Sequence, residues 1–336
     1  MAERQDQGDF GELIRGFQDD WGRIAEQVSS VIVGHEQVID EVLTCMLSGG
    51  HVLLEGVPGL GKTLIVRTLA DALELSFSRI QFTPDLMPAD ITGTNVIVGE
   101  APARRFEFQP GPIFANLVLA DEINRATPKT QSAVLEAMQE QTVSVARTTH
   151  QLPRPFMVLA TQNPLEMEGT YPLPEAQLDR FMFKVLVRSP SGRELVAILD
   201  RTTGAEAPRA AKAADAATIE QMRAVVRQVP AAAHVKDYIS RVVLATHPDG
   251  PGVPEAVGRF VRYGSSPRGA QAIILASKVL ALRQGRANVA LADIRKVALP
   301  SLRHRLILSF EGQADGIEPD EIIRQVIVST PELVET

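Results

Sequence analysis

The run Gly56-Val57-Pro58-Gly59-Leu60-Gly61-Lys62-Thr63 carries the residue types and the spacing needed to hold phosphate. Its glycines let the backbone curl until the N–H groups converge on phosphate oxygens, a concavity that side chains would block. An apolar run, 51–55, leads into it. From Gly61 and Leu64 onward the pattern reads as a helix, whose N-terminal end adds a positive field. Lys62 is placed to reach the β- and γ-phosphates, and the Thr63 hydroxyl to ligate Mg2+. Average residue usage gives on the order of a 1% chance of G-x-x-x-x-G-K-[ST] in such a chain, and the flanking strand and helix lower it further. The expected ligand is ATP or GTP.

A second half of such a site follows 59 residues after Lys62, where the apolar run "NLVLAD" ends in Asp121 and Glu122. An acid at the carboxyl end of a buried strand can hold Mg2+ through water, and the glutamate beside it can polarise the attacking water. Alone, such a strand end is often only a solvated acidic turn; a phosphate loop in the same sheet favours the chemical role. The next apolar run, "FMVLATQNP", ends in Asn163, a short amide able to hold the attacking water or to sense the γ-phosphate. An asparagine before proline is also an ordinary turn former.

Five short apolar runs must position these groups: 51–55, 77–82, 116–121, 156–161 and 181–187. Their alternation with helical patterns predicts a parallel sheet covered by helices on both faces. Two segments are longer than simple crossovers. Residues 90–115 read as a strand pair and 141–155 as a second hairpin. From about 190 the chain turns into Ala-rich helical sequence, with "TTGAEAPRAAKAAD" a mobile loop by composition. The expected division is an N-terminal helical segment at 1–29, an α/β core at 30–190 and a helical domain at 191–336.

With 336 residues, 45% of them hydrophobic and 22% charged, the composition is that of a soluble globular protein. No apolar run reaches the ~18 residues of a membrane span. The polar, acidic start resembles neither a secretory signal nor a transit peptide, which points to the cytoplasm. Cys45 stands alone, so no intramolecular disulfide is possible, and the six histidines are scattered without zinc-site spacing. A net charge of −7 offers no global footprint for nucleic acid.

Taken in order, "GVPGLGKT", "LVLADEINRA", "ATQNP", "EAQLDRF" and "GSSPRGAQAII" resemble AAA+ ATPases, and within them the MoxR family, over nearly the whole chain. The resemblance implies a five-stranded parallel αβα core with β-hairpin insertions, followed by a small all-α lid. It implies ATP with Mg2+ bound between core and lid, and homo-oligomeric rings, commonly hexamers. Val33 and Gly34, in the segment before the phosphate loop, are expected near adenine, and Asn163 matches sensor 1. Arg180 matches the arginine finger that reaches a neighbour's ATP. Arg268 matches sensor 2, reaching from the lid to the γ-phosphate, and Arg125 is a further candidate at the subunit interface. The hairpins would face the ring's centre or its face and contact substrate.

The family further implies a remodeller of protein clients that works with von Willebrand factor A-domain partners, often in metal insertion or complex assembly. An ATPase subunit of a metal chelatase would look much the same. A nucleic-acid motor should show basic and aromatic residues together where the strand passes. The second hairpin offers Arg147, His150 and Arg154 without an aromatic residue, and Arg104-Arg105-Phe106 is the only other local cluster, a thin signal that a solvated turn explains as well, so nucleic acid is not the expected partner.

Overall fold

The computed structural model describes residues 2–99, 104–164, 169–204, 208–250 and 253–332, with side chains from residue 10 onward. Of the segments read above, 100–103 in the first insertion and 205–207 in the supposed mobile loop lie outside the described residues.

Among the described residues nine strands precede the helical part: β1 (Val52–Glu55), β2 (Phe77–Gln81), β3 (Gly93–Val98), β4 (Arg105–Pro110), β5 (Leu117–Asp121), β6 (Thr142–Val145), β7 (Thr148–Gln151), β8 (Met157–Gln162) and β9 (Phe183–Leu186). Five of them form one parallel sheet in the order β2-β5-β8-β1-β9. The three central strands are buried almost throughout, which is why their sequences read as unbroken apolar runs. The edge strands β2 and β9 alternate instead. Successive side chains leave a strand on opposite faces. Val52, Leu54, Leu119 and Leu159 therefore enter one apolar cluster, whereas Leu53, Val118 and Val158 enter the other.

The two long segments are antiparallel hairpins, β3–β4 and β6–β7, as their alternation predicted. Phe108 on the first stacks on His150 of the second, with ring centroids 3.9 Å apart. The chain after β9 is mainly helical, including Gly192–Thr202, Ala216–Gln228, Ala233–Leu244, Pro267–Arg283, Leu291–Leu302 and Pro319–Ser329. A short antiparallel ladder joins Val261–Tyr263 to Ile307–Leu308.

Two segments, the N-terminal helical one and the loop read as mobile, are built into the core. The first helix, Ala2–Val31, buries Ile14, Phe17, Trp21, Ile24, Val28 and Val31, a three-four spacing that places them on one stripe. Each such side chain contributes roughly 1.5–3 kcal/mol when fully buried. Arg283 lies over the Trp21 ring at 4.8 Å. Further along the Ala-rich loop, the backbone N–H of Ala213 donates to Ala72 O at 2.8 Å and Ala214 is buried, so the loop's second half is docked rather than mobile.

His51, just before β1, is a buried joint. Its Nδ1 accepts from Val158 N at 2.9 Å, so Nε2 carries the proton and donates to Met138 O at 3.1 Å. Burial pushes its pKa down to about 4. A histidine with a depressed folded pKa stabilises above its unfolded value, near 6.5, and that contribution is lost as pH falls towards 4. The expected cost, from about 2.5 pH units at 1.36 kcal/mol each, is on the order of 3 kcal/mol. Chemical denaturation between pH 7 and 5, above the range where most carboxylates titrate, should show stability already falling; a flat profile there would contradict the buried neutral imidazole.

Candidate functional site

The carboxyl ends of β1, β8 and β5 lie side by side, since Glu55 pairs with Gln162 and Ala120 with Ala160. The phosphate loop, Asn163 and the Asp121–Glu122 pair all leave from this edge, the usual ligand edge of an open parallel sheet. Two glycines of the loop do different work. A Cβ on Gly56 would meet Val187 O at 2.6 Å, so the loop can pass β9 only without a side chain. Gly61 holds φ +77 and caps the helix Lys62–Ala72 from the left-handed region, a conformation costly for other residues. No side chain caps that helix, so its first N–H groups face outward where an anion can meet them, and Thr63 lies in the first turn.

Lys62 Nζ donates to Gly56 O at 2.6 Å and to Val57 O at 3.2 Å, folding back over the loop. Burial lowers its pKa, and the nearby charges of Asp121 and Glu122 oppose that shift. Asp121 is nearly buried. Its Oδ1 accepts from Thr161 Oγ1 at 2.7 Å, and its Oδ2 accepts Arg79 Nε and Nη2 at 3.0 and 2.6 Å. Glu122 sits at φ 56, unusual for a residue with a Cβ, and its backbone N–H donates to the same Thr161 hydroxyl. Its Oε2 accepts from Gln81 Nε2 at 2.8 Å and from Arg125 Nη1 at 2.9 Å. Asn163, directly after β8, is buried.

Beside the loop is an apolar hollow of about 210 Å³ lined by Val33, Gly59, Leu60, Gly61, Leu64, Leu195 and others. Gly34 lines an adjoining, more polar hollow with His35, Glu41, Arg188 and Glu194. Val33 is thus next to the loop, with Gly34 one step further out. Pro58, at the loop's crest, is exposed, and Val57 is half-buried.

The two remaining arginines lie elsewhere. Arg180 is three residues before β9, at the end of the sheet opposite the phosphate loop, and its Nη1 donates to Leu135 O at 2.8 Å. Arg268, at the start of the helix Pro267–Arg283, pairs with Asp179 at 3.2 Å. The expectation that Arg268 reaches from the lid to the phosphates therefore does not hold within one chain. The lid is anchored at the far end of β9, where Arg305 donates to Asp179 Oδ1, Phe181 O and Met182 O and Ser266 Oγ to Asp179. Burial works to raise the pKa of Asp179, but bonds from Ser266, Arg305 and Arg268 outweigh it and hold the carboxyl below its usual range. Three β9 steps alone separate the two ends by ~10 Å.

Sequence reasoning missed Arg79, Gln81, Thr161 and Asp179. The first two were legible only as alternate positions on an edge strand; their contact with the acids follows from the β2–β5 register, in which Gln81 faces Asp121.

A single carboxylate with a hydroxyl is a donor set for a hard cation carried in by phosphates. Among the described residues no group of three or more His, Cys, Asp or Glu could hold a metal unaided. Thr63 and Asp121 thus fit Mg2+ arriving with a nucleotide, which keeps few protein ligands.

The family model described as ATPase family associated with various cellular activities (AAA) matches residues 51–183, and that of the AAA lid domain matches 255–326. Chaperone MoxR1 of Mycobacterium tuberculosis is 45% identical over 302 residues, 90% of this chain and 79% of that protein. Uncharacterized protein YeaC of Bacillus subtilis is 43% identical over 311 residues, 91% and 92% of the two chains. A crystal structure of a candidate ATPase from Cytophaga hutchinsonii superposes with a TM-score of 0.89 at 37% identity, covering 98% of this chain and 99% of that one. Fold and site define a nucleotide-binding AAA+ protein that hydrolyses ATP. Within that class the chain belongs to the MoxR family. No helix among the described residues is long and apolar enough to cross a membrane.

Proposed function

We propose that the chain is a ring-forming ATPase, hexameric, that remodels protein clients. ATP lies on Gly56–Thr63 with Lys62 on its β- and γ-phosphates, and Val33 and Leu64 flank the base. Asn163 holds the attacking water and Glu122 takes its proton. Thr63 and Asp121 would hold Mg2+ arriving with the nucleotide, and the ion would neutralise charge on the phosphate oxygens.

The observation that carries the ring is that Arg180, bonded to Leu135 O, and Arg268, paired with Asp179, both lie at the end of β9 away from their own phosphate loop. A guanidinium there serves hydrolysis only in a neighbouring subunit, where such a charge is worth roughly 10³–10⁵ in kcat. Both arginines would then act in trans, and Asp179 orients Arg268. Ring assembly and hydrolysis become one requirement, and loss of the γ-phosphate loosens the contact between subunits.

Support for a client-directed role is the name Chaperone MoxR1 of the relative at 45% identity. A second support is the β3–β4 hairpin, where Ile97 pairs with Phe106 and both side chains are exposed. Such a patch suits transient apolar contact with a protein. A von Willebrand factor A-domain protein is the proposed partner.

Mixing subunits tests the trans arrangement. Arg180→Ala protein alone should lose at least ~10³-fold in ATPase rate. Added Glu122→Gln subunits, whose own sites are slow but whose arginines are intact, should restore part of it, because their Arg180 completes the site of an Arg180→Ala neighbour. No recovery at any mixing ratio would defeat the trans reading.

A further inference from the structure

Arg79 has no part in the mechanism above, yet its guanidinium lies directly against the acidic centre. Its guanidinium grips Asp121 Oδ2 with two N–H groups, at 3.0 and 2.6 Å, while Thr161 occupies Oδ1. The same Nη2 lies 2.6 Å from Gln81 Oε1, which turns the Gln81 amide so that its Nε2 donates to Glu122. The carboxylate is nearly buried, whereas about half of the Arg79 side chain is exposed. Of the two partners, the arginine is therefore the one that can leave cheaply: released, it keeps Gln81 and water.

We infer that Arg79 is the resident counter-ion of Asp121, which it holds until a divalent cation replaces it. The inference rests on the reading of Asp121 as an Mg2+-holding residue. A buried carboxylate without a cation is costly, so a nucleotide-free subunit needs a stand-in charge. The two cations compete for one oxygen face, because Oδ1 is already committed to Thr161. Arg79 thereby sets how much Mg2+ the site requires before nucleotide is held tightly. It is a positioning residue, acting through Asp121 and touching no nucleotide.

The test is a titration of binding, free of turnover. Affinity for a fluorescent ADP analogue is measured first in EDTA and then at rising MgCl2, giving the Mg2+ concentration at half of the affinity gain. In Arg79→Met, which keeps the side chain's length, the midpoint should fall about tenfold, the scale of one charge-assisted contact, with affinity in EDTA unchanged within about twofold. Arg79→Lys keeps the charge with a single contact and should fall less; it also serves if the methionine variant does not fold. A midpoint unchanged or raised in the folded variants would overturn the inference and make Arg79 a support of the acid. Wild-type binding with no dependence on Mg2+ would instead remove the metal role of Asp121, and the inference with it.

Discussion

Lys62→Ala abolishes nucleotide binding at micromolar concentrations, the largest effect on binding expected of a single substitution. The Lys62 ammonium donates to Gly56 O and Val57 O, two carbonyls of the loop it completes. In the proposed complex those donors turn to the β- and γ-phosphates. Each charge-assisted bond contributes about 1.5–3 kcal/mol, so losing two weakens binding by roughly 10²–10⁴-fold. The backbone N–H groups and the helix end remain and account for the residual affinity. The side chain has no place in the apolar core, so the unfolding temperature of the variant should stay close to wild type. Calorimetric titration with ATP reads the effect, and retained micromolar affinity would reassign the loop.

Glu122→Gln behaves in the opposite manner: it binds ATP normally and almost stops turning over. The substitution keeps the shape, and the amide oxygen can still accept from Gln81 Nε2 and Arg125 Nη1. It removes only the capacity to take a proton from water. General-base contributions are typically 10²–10⁴-fold, and a loss of that order in single-turnover rate is expected with Kd unchanged. The left-handed backbone at φ 56 makes Glu122 a point of stored strain at the site, of order 1–3 kcal/mol, tolerated because Thr161 and the 3-10 turn Ile123–Arg125 hold it. A near-normal rate in the variant would remove Glu122 from the proposed chemistry.

Much of the site is local in sequence, and for that reason it was legible. The phosphate loop, the acids after β5 and the amide after β8 each lie within a few residues of a strand's carboxyl end. Parallel strands bring their carboxyl ends to one edge, so identifying the strands is enough to gather the groups. The hairpins declared themselves in the same way, by period-two alternation between Gly and Pro breaks.

What depends on register, on the lid's docking or on a long-range stripe was not legible. The docking of Ala2–Val31 depends on six apolar side chains finding helices from distant parts of the chain, and its acidic, polar surface disguised them. Arg268 was expected at its own phosphate loop because a motif names a role without naming the subunit. Only the lid's anchoring by Arg305 at the far end of β9 puts it beside Asp179. Arg79 and Gln81 met the acids through a strand pairing that no local pattern reveals. The sequence by itself determined which chemistry this protein carries, since that chemistry is written in short runs whose geometry follows from the backbone. Tertiary structure alone decided which charges face one another, because a pairing between distant segments is set by packing and register.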